Sequence, residues 1–307
     1  MGYAPGEDPM AKKQVVLVTG SSTGFGRLFA QTLARNGHTV FATMRDPALK
    51  NAANADVLRQ YGAKENLEIH VVEMDVNDEA SVARGVRSIV DQAGRIDVAI
   101  NNAGYALTGL AEATTVEQAR EIMDTNFLGC VRVDRAVLPF MRKQRGGLLL
   151  HVTSGAGRMV VPGFGFYCAS KYAVEALAET YHYELAGQGI DSCLLEPGPY
   201  KTEVFGNSLT AADHARLEGY GAAAELPGKV SAVLLASMGD AQDVADAALQ
   251  IVETPAGQRN VRYRVSPTDM GLDKINAVSA EVQAQIIEAF GLTKDTTFVK
   301  QAVAGAD

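Results

Sequence analysis

Basic residues are in short supply. Lysine and arginine total 28 against 36 aspartates and glutamates, for a net charge of −8 and a pI near 5.2. That balance argues against a nucleic-acid or anionic-membrane partner, since both need clustered cations. Cysteine is scarce as well. Cys130, Cys168 and Cys193 are odd in number, sit in apolar contexts and lack metal-ligand spacing. They read as buried thiols of a reducing cytoplasm, not as disulfides or zinc ligands, and no metal is expected. No apolar run approaches the length of a membrane span. The opening GYAPGEDP has neither the basic n-region nor the apolar core of a signal peptide. Residues 1–11 are expected to be a disordered leader, with Met10 an alternative start. Internal repeats and low-complexity segments are also missing.

What is present suits one large core: 307 residues, 47% of them hydrophobic. Apolar β-branched runs are expected as strands near 15–19, 39–43, 68–73, 96–100, 148–153, 190–195 and 261–265, with helical segments between them. The longest helices are expected from about Val116 to Gln144 and from about Phe166 to Ala186. Such alternation predicts an α/β fold, a doubly wound parallel sheet of seven strands with helices on both faces. Right-handed crossovers then place a ligand at the carboxyl ends of the strands.

Two constellations carry chemistry. The first strand runs into a glycine-rich turn, Gly20, Gly24 and Gly26, followed by a helix closed by Gly37. A turn of that kind lets backbone N–H groups approach a pyrophosphate at the positive end of the helix. Three glycines after a strand are equally a plain strand-to-helix turn. The second is FYCASK, where Tyr167 and Lys171 share one face of a helix. A phenol titrating near pH ~10 needs a downward shift of roughly three units, about 4 kcal/mol, to work as an acid or base near neutrality. Lys171 is placed to supply part of it. Upstream, Ser154 ends the apolar run LLLHVTS and brings a hydroxyl to the sheet edge. His151, on the same run, is expected by alternation to point elsewhere and has no role.

Together these residues resemble the short-chain dehydrogenase/reductase family, along the chain from about Lys12 to Pro255. The family's T-G-x-x-x-G-x-G turn is similar to Thr19 through Gly26, its N-N-A-G to Asn101-Asn102-Ala103-Gly104, and its P-G segment to Pro197-Gly198. The resemblance implies a single Rossmann-type catalytic domain over 12–266 with a substrate lid at 203–228, followed by an extension at 267–307. It implies catalytic roles for Asn126, Ser154, Tyr167 and Lys171. Tyr167 exchanges a proton with the substrate oxygen, Ser154 hydrogen-bonds that oxygen, and Lys171 lowers the phenol pKa and holds the nicotinamide ribose. Asn126 interrupts its helix and holds a water. The cofactor is implied to lie against Gly20, Ser22, Thr23, Gly24, Phe25 and Gly26, then Arg45, then Asp75 and Val76 on the adenine side. Asn102, Ala103, Gly104, Tyr167, Lys171, Pro197, Gly198 and Thr202 complete that surface. An Asp at position 75 is equally a helix N-cap.

Cofactor choice rests on the end of the second strand. Met44 stands where the family's NAD-selecting carboxylate lies, and Arg45 follows it. A guanidinium grips a phosphate through paired hydrogen bonds, so NADP is expected over NAD, although Asp46 is near enough to support the other choice. The resemblance implies an oxidoreductase acting on CH–OH groups, with a small-molecule ketone or alcohol as substrate. TMRDP, EPGPYKT and RYRVSP look most like the 17β-hydroxysteroid and retinol dehydrogenase branch, which favours a bulky hydrophobic one. A homodimer or homotetramer, paired through the two long helices, is the implied assembly. The tail after Pro267 adds an amphipathic helix that covers the pocket, the core or another subunit. Two alternatives stay open: a non-catalytic NADP-binding regulatory protein of the same fold, and an epimerase or dehydratase of the extended branch.

Overall fold

The computed structural model describes residues 13–202 and 208–299. Its centre is a sheet of seven strands, all parallel, in the order β3-β2-β1-β4-β6-β7-β9. The strands are β1 (Val15–Val18), β2 (Thr39–Met44), β3 (Ile69–Glu73), β4 (Val98–Asn101), β6 (Gly147–Val152), β7 (Ile190–Pro197) and β9 (Arg262–Val265). A separate pair, β5 (Leu107–Thr108) and β8 (Leu209–Thr210), forms a small second sheet. The helices are α1 (Gly24–Arg35), α2 (Ala52–Glu65), α3 (Glu79–Ala93), α4 (Val116–Met123), α5 (Gly129–Gln144), α6 (Gly165–Ala186), α7 (Leu226–Ala236), α8 (Gln242–Glu253) and α9 (Leu272–Ala289).

Strand alternation sorts β1 between two layers. Val16 and Val18 join Phe29, Leu33, Leu58, Val244 and Ile251 in a core under α1, α2 and α8. Leu17, between them, joins Ile89, Val137, Met141, Leu149 and Leu185 in the opposite core under α3, α5 and α6. Burial on both faces is why the central strands read as continuous apolar runs. The chain reverses direction across the sheet between β1 and β4, so the crevice for a ligand opens at their carboxyl ends.

All seven expected strands form. The long helix expected from Val116 to Gln144 does not run unbroken: a π-helical turn, Asp124–Leu128, divides α4 from α5, with Asn126 at its centre, as the interruption at that residue required. The segment 203–228, expected as a lid, does not end at an element boundary. Its helix α7 starts inside 203–228 but continues to Ala236, and β8 ties the segment to β5 beside the pocket. Residues 1–11 and 203–207, named in the expectations, lie outside the described residues, as do 300–307 of the extension.

Candidate active site

The glycine turn is fastened to the neighbouring strand by one hydroxyl. Thr19 Oγ1 accepts from the N–H groups of Asn102 and Ala103 at 2.9 and 3.0 Å. Asn102 returns its amide to the carbonyls of Thr19 and Gly20 at 2.8 and 3.2 Å. The turn itself excludes side chains. Gly20 has φ +67°, and a Cβ there would sit 2.8 Å from the Ala103 Cα. A Cβ on Gly26 would overlap the Gly20 carbonyl oxygen. A backbone stripped in this way fits the close approach of a dinucleotide pyrophosphate to the start of α1, where the Thr23 side chain caps no helix N–H. Ser22, Thr23 and Gly24 lie on that rim, half-exposed.

At the end of β2, Met44 is only 2% exposed, inside the core, while Arg45 is on the surface. No ion pair to the Arg45 guanidinium occurs among the described residues, and its carbonyl accepts from Asn51 at 2.7 Å. Asp46 adopts φ +45°, a left-handed conformation that turns the chain away from the strand. Asp75 is not the cap of α3. Asp78 is, accepting from the Ala80 N–H at 2.9 Å, whereas Asp75 Oδ1 accepts from the Asn77 N–H at 2.9 Å within the preceding turn. Val76 is buried against Gly129.

Asn126 lies behind the pocket wall. Its amide accepts from the Tyr105 N–H and donates to the Tyr105 carbonyl and to Ser170 Oγ, each at 3.0 Å. The π turn thus clamps the Asn102–Tyr105 loop to α6. A Cβ on Gly104 would meet Asn126 Oδ1 at 2.9 Å and Lys171 Nζ at 3.8 Å, so the loop, the amide and the lysine share one small volume.

Ser154 follows the end of β6, hydrogen-bonds the Tyr167 phenol and accepts from the Ala156 N–H at 3.2 Å. Lys171 is buried with Nζ donating to the Val152 carbonyl at 2.9 Å, and it stands 5.8 Å from the centre of the Tyr167 ring. The expected lowering of the phenol pKa is not what the protein alone produces. Desolvation dominates, opposed by the Ser154 hydrogen bond, and the Tyr167 phenol is pushed up to about 12. The ring keeps partial contact with the pocket, but the concave apolar walls hydrate the phenol poorly. Burial also lowers the Lys171 pKa. The same cause pushes the Cys130 thiol up to about 12, and all three cysteines are buried and free.

One cavity of about 150 Å³ gathers much of this set: Phe25, Asn102, Ser154, Tyr167, Lys171 and Thr202 line it, as do Gly104, Pro197 and Gly198. Its remaining wall is largely apolar, with Met159, Val161, Leu234 of α7 and Met270 before α9. Gly20 and Gly26 of the turn and Ala103 of the loop after β4 do not line the cavity, nor do Arg45, Asp75 and Val76.

A buried ionic cluster beneath this floor was not expected. Glu175, one turn after Lys171, accepts from Thr153 Oγ1 at 2.7 Å and from Arg262 Nε at 3.0 Å. Glu196, which immediately precedes Pro197, is fully buried, lies 3.5 Å from Arg262 and accepts from Asn276 of α9 at 2.6 Å. Burial, reinforced by the Glu175 charge, pushes the Glu196 carboxyl up to about 7. These carboxylates hold the residues next to Ser154 and next to the Pro197 turn. The spacing of Glu175 from Lys171 was the one sequence signal for the cluster. His151 points away from the pocket, as alternation requires, and meets buried Asp134 at 2.9 Å.

The geometry has counterparts among known proteins. The short chain dehydrogenase family model matches residues 14–213. A 3-ketodihydrosphingosine reductase of Bacteroides thetaiotaomicron is 39% identical over 190 residues, 62% of this chain and 65% of that protein, so the match spans just under two thirds of the relative's length. Retinol dehydrogenase 8 of Homo sapiens is 33% identical over 270 residues, 84% of each chain. A short-chain dehydrogenase from Streptomyces avermitilis, solved by crystallography, superimposes with a TM-score of 0.73 at 28% identity, covering 94% of this chain and 99% of that one. No helix among the described residues is long and apolar enough to cross a membrane.

Proposed function

The chain belongs to the short-chain dehydrogenase family, NAD(P)-dependent oxidoreductases acting on CH–OH groups, and from that premise we propose an NADP-dependent enzyme that interconverts a carbonyl compound and its secondary alcohol with Tyr167 as acid/base. The convergence of Ser154, Tyr167 and Lys171 on one apolar-walled cavity carries this reading. A bound nicotinamide supplies or takes the hydride at the substrate carbon.

The chain's own residues do the rest. In reduction Tyr167 gives its phenolic proton to the carbonyl oxygen, and the raised phenol pKa keeps that proton in place at neutral pH. Ser154 donates to the same oxygen and stabilises its developing charge. Lys171 spends one N–H on the Val152 carbonyl, which fixes the ammonium between the phenol and the ribose position. Asn126 keeps the Gly104 loop against α6 and holds the water that links Lys171 to solvent. Gly20, Ser22, Thr23, Gly24, Phe25 and Gly26 receive the pyrophosphate, Asp75 and Val76 the adenine. Asn102, Ala103, Gly104, Pro197, Gly198 and Thr202 complete the cofactor's bed. Exposed Arg45 takes the 2′-phosphate, which supports NADP over NAD.

A bulky hydrophobic substrate is favoured by Met159, Val161, Leu234 and Met270, and by relatives whose names carry a ketodihydrosphingosine and a retinol. The catalytic unit spans 12–266, with the extension following from 267, and the protein works in the cytoplasm as a homo-oligomer. Oxidation of NADPH by a panel of ketones and aldehydes of increasing apolar bulk tests the reading. Turnover should rise with bulk and be weaker with NADH. Tight NADPH binding with no turnover across the panel would favour the non-catalytic regulator.

A further inference from the structure

Helix α9 turns a mixed face inward, with Leu272 and Ile287 beside polar residues. Asn276 donates to Glu196 at 2.6 Å and accepts from Arg158 at 2.9 Å, and Ser279 accepts from Arg158 at 2.5 Å. Gln283 and Ile287 continue this partly buried face, and of the helix's 18 residues only Leu272 is fully buried. Five other large apolar residues lie on the neighbouring, exposed face. Val278 is 56% exposed, Val282 48% and Phe290 72%, with Ile275 and Ile286 also exposed. Steps of three and four residues put all five on one stripe, the pattern of a helix made to pack against another helix. Among the described residues nothing covers it, and a helix presenting such a stripe to water is poorly stabilised by its own propensity.

We propose that α9 pairs antiparallel with α9 of a second copy of this chain. The stripe is self-complementary about Val282: a two-fold axis there sets Val278 opposite Ile286 of the partner subunit and Val282 opposite its own mate. Charge agrees. Lys274 near the start and Glu288 near the end lie on the same flank of the stripe, so the antiparallel arrangement brings each lysine within about one helical turn of the partner subunit's Glu288. The acidic flank of Glu281 and Glu288 disfavours an anionic membrane as the occupant. This contact is distinct from pairing through α4, α5 and α6, which the family resemblance implies. It also braces Asn276 and Ser279, and through them Glu196 and the Arg158 loop after Ser154.

The same axis sets Glu281 close to its own mate, a like-charge pair, which supplies a test in both directions. Sedimentation of the full chain should show the mass fall two-fold in Val282→Asp, while Glu281→Gln should associate several-fold more tightly. All native cysteines are buried, so oxidation of Val282→Cys should give a disulfide-linked dimer on a non-reducing gel. Ala284→Cys, at the same height on the opposite face, should stay single. An unchanged mass in Val282→Asp, or equal cross-linking by both cysteine variants, would overturn the proposal. So would loss of phosphatidylcholine-vesicle binding in Val282→Asp at unchanged mass, which would make the occupant a membrane.

Discussion

The carboxyl edge of the sheet and the cover above it are built on opposite terms. At the edge, polar side chains are buried and bonded: Thr19 takes two N–H groups, Asn126 makes three hydrogen bonds, and Lys171 is anchored to a strand carbonyl. In the cover, the helical segments His214–Leu217, Gly221–Glu225 and Leu226–Ala236 contain no fully buried residue. Chemistry needs atoms held to within fractions of an ångström, and such bonding provides that. Substrate entry needs a segment that opens cheaply, and such segments come from the low-stability end of the structure. We therefore expect reaction type to be set by the edge and substrate choice by the cover.

The largest effect should come from the edge. Tyr167→Phe removes the proposed proton donor while leaving the ring in its cavity, so kcat should fall at least ~100-fold with cofactor binding nearly intact. Turnover of a good substrate at the parental rate would end the assignment. Lys171→Ala should weaken cofactor binding as well, because in the proposed mechanism its ammonium serves both the phenol and the cofactor ribose.

A step farther along the edge, bonding thins out, and the expected effect shrinks with it. Arg45→Ala should weaken NADPH binding by roughly 10- to 100-fold and leave NADH nearly unchanged, the range expected for one charged hydrogen-bonding partner of ~1.5–3 kcal/mol. Equal or tighter NADH binding by the parent would shift attention to Asp46. Met44→Asp is a less clean test: at 2% exposure the new carboxylate would be buried in the α1–α2 core, and instability would accompany any repulsion of phosphate. Exchanging the lid from 208 to Ala236 for a relative's segment should change which ketones are reduced by about an order of magnitude while the cofactor preference stays put. A conserved substrate profile after that exchange would erase the division between edge and cover.

Sequence reading reached the edge because its motifs are local. Gly20, Gly24 and Gly26 are needed for backbone conformation and close approach, and Tyr167 with Lys171 for helical spacing, so each announces itself within a few residues. The strands were readable for the same reason, as apolar runs buried on both faces. Three kinds of feature were not. The pairing of β5 with β8 joins segments about 100 residues apart with little pattern in either. The sign of the Tyr167 shift depends on how much water the folded pocket excludes, which spacing to Lys171 does not reveal. The Glu175–Arg262–Glu196 cluster draws its members from α6, β9 and β7, so only Glu175, one turn from Lys171, left a trace.

That cluster yields the smallest and most specific expectation. Glu196 is fully buried, one of its oxygens lacks a hydrogen-bond partner, and its carboxyl is carried from 4.5 up to about 7, chiefly by burial and then by the charge of Glu175. The folded protein therefore holds this proton more tightly than the unfolded chain does. Stability from the protonated form is fully present below about pH 4.5 and is lost as pH rises through about 7. The span corresponds to at most ~3 kcal/mol, with the opposing pull of the Arg262 guanidinium 3.5 Å away already included. Glu196→Gln removes the titration while keeping the side-chain shape and an acceptor for Asn276. Between pH 5 and 8 the parent's melting temperature should fall farther than the variant's, by about 2 °C or more. Parallel melting curves across that range would mean that Arg262 already holds Glu196 ionised, and that the cluster fixes the Pro197 turn as a permanent ion pair.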